Sequence, residues 1–524
     1  MAPPDGAVAV PARAEGISFQ STPGHWVLAV AVLGSGMVFL DGTVVNVALP
    51  VIGRDFDAST SALQWILNGY LLTLSALILL GGSLGDRYGR RRIFVFGVGW
   101  FTAASLLCAI APSAELLIVA RLLQGIGGAL LTPGSLAMIE SSFRPADRGR
   151  AIGAWSGLGG VAAALGPLLG GYLVEAVSWR AIFLVNIPLG AFVAVMATQH
   201  VPETRDPMAT GRLDVRGAIL AGLGLAGTTY ALIEGPQRGA SPVIALTAIG
   251  GLLALAGFIV AERRSPNPMM PLTIFQSRQF SAANLVTFVV YAALSGVFFL
   301  LVAFLQISLG YSPVAAGAAS LPVTAIMLSL SARSGALAQR IGPRIPLTVG
   351  PLVIAVGLLL MLRIHPGDSY ASTVLPSVIV FGLGLTLVVA PVTATVLAAA
   401  DARHSGIASG INNAVSRVGG LLAVAVLPLI AGLTGTDFYD PSAMEHGFRM
   451  AMVAAAALAA SGGVIAWLTI EDDVLETEAE PGGDTPDRIA NDYVCPVSGA
   501  PLRPGREAEC HPMPDKVVAV SLDR

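Results

Sequence analysis

The sequence predicts an all-α polytopic membrane protein, a bundle of about 14 transmembrane helices, and three observations carry that expectation. The 524-residue chain is 54% hydrophobic, with a mean hydropathy of +0.74. Charged residues make up 12% of it, about half of the roughly 25% usual in a soluble domain, which excludes an ordinary water-soluble globule. Finally, about fourteen stretches reach the roughly 20 apolar residues needed to cross a hydrocarbon core of about 30 Å.

In chain order the stretches lie at 26–50, 62–82, 93–112, 114–138, 151–172, 181–199, 215–233, 242–261, 282–305, 314–332, 345–363, 371–397, 407–433 and 448–469. None shows the strict alternation of a barrel strand, and in hydrocarbon the helix is the other structure that satisfies every backbone polar group. The first run is too long for a signal-peptide core and thirteen more follow it, so it is expected to be retained.

Arginine sets the expected orientation. The even-numbered connections carry Arg87 and Arg90 to Arg92, then Arg144, Arg148 and Arg150, then Arg205, Arg212 and Arg216, then Arg263, Arg264 and Arg278, then Arg340 and Arg344, then Arg403. The odd ones hold chiefly Arg54, Arg180, Arg238, Arg363 and Arg449. By the positive-inside rule the even connections and both termini are cytoplasmic, in a plasma-membrane protein.

On charge alone, GDRYGRRR at 85–92 is as well explained by a topology anchor as by a function. A second, eroded copy raises its interest: GSLGDRYGRR at 82–91 aligns without gaps to GALAQRIGPR at 335–344. The copies fall between helices 2 and 3 and between helices 10 and 11. The organisation expected is therefore a cytoplasmic segment 1–25, a six-helix half 26–200, an inserted pair of helices 201–265, a second six-helix half 266–470 and a tail 471–524. Two repeated halves are the architecture of a transporter whose site lies between them at the membrane midplane. The tail, with EDDVLETEAEPGGDTPD, is acidic and rich in proline and glycine, and is expected to be disordered.

Several function classes drop out. Lys516 in the tail is the single lysine, so no phosphate-binding GxxxxGK[ST] loop exists and the chain is not its own ATPase. No HExxH, no GxSxG at a strand-to-helix turn and no Ser/His/Asp cluster points to an enzyme. Three cysteines, Cys108, Cys495 and Cys510, lack a CxxC pattern, so no metal site is expected, although Cys495, Cys510 and His511 are irregularly spaced ligand types. No cofactor and no nucleic-acid partner is implied.

The motifs resemble those of the fourteen-helix drug:proton antiporters of the major facilitator superfamily. GSLGDRYGRRR is similar to the superfamily's signature loop, which implies a conformational latch formed by Gly82, Asp86, Gly89, Arg90 and Arg91; Gln339 replaces the acid in the second copy, so the latch should be one-sided. LDGTVVNVALPVI at 40–52 resembles the first-helix signature and places Asp41, Thr43 and Asn46 inside a span, where a carboxylate costs a few kcal/mol and is usually functional. RLLQGIGGALLTPG at 121–134 resembles the fourth-helix signature, whose arginine is linked to proton coupling. Taking Pro50 as the outer face puts Asp41 about 14 Å deep and Arg121 about 8–10 Å deep, so an extended arginine can reach the acid. A carboxylate's proton affinity rises on burial and falls beside a cation, so making and breaking that contact is a physical route to exchange.

GLGGVAAALGPLLGG at 157–171 is similar to the antiporter signature of the fifth helix, with Gly157, Gly160, Gly166, Pro167 and Gly171 expected to permit tight packing and a kink. WRAIFLVNIPLG at 179–190 also resembles the branch and is given a structural role. On helix 13, Ser409, Asn413 and Arg417 share a face; Arg417 either lines the pathway or satisfies neighbouring carbonyls. Asn46, Gln124, Asn413 and Arg417 are the residues expected along a substrate path. Helix 10 carries no acid, and Glu234 is expected in the membrane interface, so substrates are not obligate dications.

The function implied is proton-coupled efflux of amphiphilic compounds, with protons, a small-molecule substrate and the bilayer as partners and a monomer as the working unit. A dedicated exporter of one endogenous metabolite is the alternative within transport, and a membrane sensor or channel the alternative outside it.

Overall fold

The computed structural model describes residues 16–206, 213–239, 241–400 and 405–475. Among the described residues fourteen helices are long and apolar enough to cross a membrane: α1 (Thr22–Phe56), α2 (Thr60–Tyr88), α3 (Arg90–Ile110), α4 (Ala114–Ser142), α5 (Pro145–Ala176), α6 (Ala181–His200), α7 (Val215–Arg238), α8 (Pro242–Arg264), α9 (Arg278–Ile307), α10 (Pro313–Ile341), α11 (Arg344–Met361), α12 (Tyr370–Ala398), α13 (Gly406–Ile430) and α14 (Pro441–Thr469). The tail from residue 476 and the expectation of disorder there lie outside the described residues, as do Arg212, Arg403, Cys495, Cys510 and His511.

Local chemistry sets the starts. Ser59, Ser113, Ser241 and Ser277 each accept a bond from a backbone N–H three residues on, capping α2, α4, α8 and α9, and Asp440 does so for α14 at 2.8 Å. Proline opens α5, α8, α10 and α14, where its missing donor costs nothing. These caps lie outside the hydrocarbon, so several helices outrun their apolar runs. α1 continues through Pro50 to Phe56, and α14 begins at Pro441 rather than near 448. Arg449 consequently sits inside α14, paired with Glu445 at 2.7 Å, not in a connection.

The pairing of helices repeats. α2 packs on α4, α3 on α4, α1 on α5 and α3 on α6; eight helices later α10 packs on α12, α11 on α12, α9 on α13 and α11 on α14. α7 and α8 pack on each other through glycine, since a Cβ on Gly227 would come within 2.7 Å of the Thr247 carbonyl oxygen. α7 leans on α2 and α13, while α8 presents nearly all of its surface outward. Glu234, close to the end of α7, is buried: its carboxylate accepts from Trp65 Nε1 at 3.1 Å and from Arg238 Nε at 3.0 Å, which ties α7 to α2.

The bonds that join the first six helices to the last six crowd at one end of the bundle, opposite the arginine-rich ends of α2, α3, α4, α10 and α11. Thr60 donates through both its amide and hydroxyl to the Gly435 carbonyl, at 2.8 and 3.0 Å. Gln306 donates to the Val47 carbonyl at 2.9 Å and Tyr439 to that of Ala58 at 2.7 Å. Burial pushes the Tyr439 phenol up to about 12. Gly171 and Gly317 complete this closure: a Cβ on either would overlap a backbone carbonyl of the facing helix, of Pro313 and Pro167 respectively.

Candidate functional site

Asp41 of α1 and Arg121 of α4 form an ion pair with both side chains fully shielded from solvent. The meeting is as expected, although α1 runs on through Pro50 to Phe56, so Pro50 is not the helix end from which depth was reckoned. Gln124, one turn after Arg121 and so on the same face, donates to the second Asp41 oxygen at 2.8 Å and accepts from Arg121 at 2.6 Å. Ser105 of α3 accepts from Gln124 at 2.9 Å and passes its own proton to the Phe101 carbonyl at 2.8 Å. Asn186, where α6 resumes after a break at Val185, donates to Asp41 at 3.4 Å and to Ser105 at 3.3 Å. The segment given only a structural role thus delivers an amide to the carboxylate.

Arg121 is held from three further sides. Its Nε donates to the Ile66 carbonyl of α2 at 3.0 Å. The Tyr70 ring lies 4.3 Å from the guanidinium carbon and that of Phe183 5.8 Å, within the range of cation–π attraction. The second terminal nitrogen has no hydrogen-bond partner. Four helices of the first half therefore converge on one carboxylate, leaving it no path to water in this conformation. Breaking such a pair by deleting one partner costs about 3–5 kcal/mol in proteins. Asn46 does not join: its amide turns back to the carbonyls of Gly42 and Thr43, each at 3.5 Å.

At the arginine-rich end, Asp86 pairs with Arg90 at 2.8 Å across the α2–α3 junction, and Arg90 reaches the Ala137 carbonyl of α4 at 3.4 Å. Gly89 has φ +113°, a conformation side chains resist. The chain after α6 folds over this loop. The Arg90 amide donates to the Thr204 carbonyl at 2.8 Å, Asp206 to that of Asp86 at 3.0 Å, and the Arg91 amide to Glu203 at 3.1 Å. Glu203 also lies 3.6 and 3.7 Å from the side chains of Arg91 and Arg92, a role the sequence reading missed. Gly82 is not the point of closest approach: a Cβ there would sit 3.6 Å from Pro133, whereas at Gly81 it would overlap the Ala129 carbonyl.

The second copy lacks the Asp86–Arg90 pair, with Gln339 in place of the acid. It nevertheless keeps the glycine: Gly342 has φ +80°, and Asp472, following α14, stands over it as Glu203 stands over Gly89. Arg344 donates to the Trp467 carbonyl at 2.9 Å and lies over its ring at 4.2 Å.

On α5, Gly157 and Gly160 face open space, against the expectation of tight packing. The crowded positions are Gly159, against Phe39, Gly166, against the Thr43 hydroxyl, Gly170, against Val44, and Gly171. Thr43 bonds across to the Ala163 carbonyl at 2.9 Å, while the Pro167 carbonyl receives Gly317. On α13, Asn412 rather than Asn413 is the amide that ties the helix down, donating to Thr287 and Asn284 of α9 at 2.8 and 3.2 Å. Arg417 is half-buried, 5.9 Å from the Phe39 ring of the other half, and its Nε is buried with no hydrogen-bond partner. Among the described residues no group of three or more metal-ligand side chains assembles.

The family model of the Major Facilitator Superfamily matches residues 31–424. The chain is 37% identical over 397 residues to the multidrug resistance protein Stp of Mycobacterium tuberculosis, a match spanning 75% of this chain and 73% of that protein. It is 35% identical over 490 residues to the tetracenomycin C resistance and export protein of Streptomyces glaucescens, spanning 93% of this chain and 88% of that protein. Among solved structures, the peptide transporter POT in complex with sulfate matches with a TM-score of 0.65 at 16% identity, covering 88% of this chain and 98% of that one. A D-xylose-proton symporter matches with a TM-score of 0.62 at 16% identity, covering 86% and 99%. At such identities these two likenesses speak for the fold. Together with the matched residues, the repeated helix pairings and the buried acid–arginine pair, they lead to one conclusion: the chain belongs to the Major Facilitator Superfamily.

Proposed function

We propose that this protein is a proton-coupled exporter of small amphiphilic compounds, working as a monomer in the plasma membrane with both termini in the cytoplasm. The observation that carries the reading is the solvent-free Asp41–Arg121–Gln124 network inside one half of a two-part bundle. An acid so enclosed can exchange a proton only when the helices around it move, so protonation is tied to conformation. The two-part organisation of residues 26–200 and 266–470, with 201–265 inserted, supplies the parts that rock. With the arginine-rich ends inside, the closed end of the bundle is the outer one and the loop around Asp86 and Gly89 is the inner latch.

In this reading, protonation of Asp41 removes the charge that holds Arg121, and the freed arginine keeps its Ile66 and Gln124 contacts. The loss of that one partner, which shifts the balance between conformations, is what couples proton entry to substrate exit. The names of relatives support efflux of foreign or self-made compounds; the long match to a tetracenomycin C exporter favours a second reading, export of one endogenous product. The test is uptake of a compound panel into inverted membrane vesicles. Proton-driven export predicts accumulation that a protonophore abolishes; accumulation indifferent to the protonophore would refute it, and a channel would give flux without accumulation.

A further inference from the structure

The buried charges near the centre do not cancel. Asp41 and Arg121 neutralise each other, while Arg417, roughly mid-way along α13, adds a positive charge that no hydrogen bond or ion pair among the described residues answers. Its buried Nε has no hydrogen-bond partner among the described residues, and the guanidinium faces an aromatic ring. Phe39 of α1 lies 5.9 Å away, with Trp155 of α5 behind it at 6.5 Å between ring centroids. Tyr70 of α2 and Tyr291 of α9 lie close enough to feel the arginine's charge. The Tyr70 hydroxyl is spent on the Val38 carbonyl at 3.2 Å, and its ring is the same one that covers Arg121.

Charged side chains in membrane spans normally pair, reach a carbonyl or line a watery cavity, and an arginine cannot escape the cost by losing its proton. Arg417 lies between the two halves, against Phe39 of the opposite one, so closure of the bundle around it would strand the charge unless an anion came with it. A guanidinium presents a planar fork that fits a carboxylate with two parallel bonds, and the flanking rings offer flat apolar faces.

From this we infer that Arg417 is the substrate-recognition cation and that the preferred substrate class is aromatic organic acids, a carboxylate or an acidic phenol on a flat ring system, rather than cations. The inference gives a chemical class to the cargo of the proposed exporter and rests on that reading only for the direction of travel.

The test is equilibrium binding to the purified full-length protein in lipid nanodiscs, with pyrenebutyrate and its uncharged twin pyrenebutyramide followed by fluorescence anisotropy at pH 7. The wild type is expected to hold the carboxylate at least about tenfold more tightly than the amide. Arg417→Gln should bring the ratio to within about twofold with amide affinity unchanged, and Arg417→Lys should keep part of it, having charge without the fork. Because Arg417→Gln removes a charge that no group among the described residues answers, its melting temperature should equal or exceed the wild type's; a merely structural arginine would lower it. A wild-type ratio below about twofold overturns the proposal whatever the variants do, and so does a preference that survives in Arg417→Gln. Asp41→Asn should retain the preference while losing proton-driven flux, so proton-driven flux that persists in Asp41→Asn with an intact ratio would count against the coupling reading alone.

Discussion

The first and second six-helix sets share their helix pairings but not their interior chemistry. The first encloses a polar network in which the charges of Asp41 and Arg121 answer each other and Gln124, Ser105 and Asn186 bond to them or to one another. Its counterpart helices eight places on, α9 and α12, have no charge inside the membrane: Arg278 stands at the first position of α9 and α12 has none at all. What the second set has instead is Arg417 on α13, with no partner at its buried nitrogen. The repeat keeps the packing while the chemistry divides, one half holding a buried acid–arginine pair and the other a half-buried cation proposed to meet a ligand.

The sharpest way to break this comparison is to unbalance the charge-paired half. Arg121→Met leaves Asp41 buried without its cation and is expected to destabilise the protein by about 3–5 kcal/mol, read as a lower denaturation midpoint in detergent, and to abolish transport. The same comparison predicts no stability loss for Arg417→Gln, so equal damage from both substitutions would contradict the contrast.

The closure shared by both halves comes next. Gly317→Val forces a side chain into the Pro167 carbonyl and is expected to shift the population toward separation of the ends of α5 and α10 near Gly171 and Pro313. Spin labels on those ends should report a longer distance fraction several-fold more populated than in the wild type. Unchanged distances would mean this contact is not a closure. The Tyr439 bolt, with its phenol near 12, is expected to ignore pH below the ordinary tyrosine value of 10.0 and to lose its stabilising share only as pH rises from there through about 12, when the buried oxygen must ionise.

Smaller effects separate crowded from open glycines on α5. Gly166→Ala meets the Thr43 hydroxyl and should cost about 1–3 kcal/mol, whereas Gly157→Ala and Gly160→Ala meet nothing within 4 Å and should change stability by no more than about 0.5–1 kcal/mol, in the stabilising direction. Glu203→Gln loosens the segment over Gly89; as a half-exposed contact it should cost about 0–1 kcal/mol and show mainly as a modest, up to about threefold, fall in transport rate.

The fold was legible because run length and arginine placement are local quantities that survive in one dimension. Asp41 and Arg121 were legible for the same reason, each being a charge inside an apolar run. Ser105, Asn186 and Tyr70 were not: serine, asparagine and tyrosine are ordinary in membrane helices, and which of them meets the acid depends on how each helix is rotated, a property of the assembled bundle. Gly157 and Gly160 misled in the converse way, since a glycine pattern tells that close approach is possible but not which face meets a neighbour. Glu203 reaches Gly89 because the chain returns after four more helices, and Asp472 reaches Gly342 in the same manner. An acid in the segment following helix 6 and another following helix 14 were the signal available, and only the repeat makes them readable as a pair.

The proposed coupling depends most on Asp41 taking up and releasing a proton. The direct measurement is pH-driven export by purified protein in liposomes, using a compound found in the vesicle panel, for wild type and Asp41→Asn at matched incorporation. The prediction is that the wild type accumulates the compound against its gradient while Asp41→Asn only equilibrates it. Uphill accumulation by Asp41→Asn at the wild-type level would contradict the account.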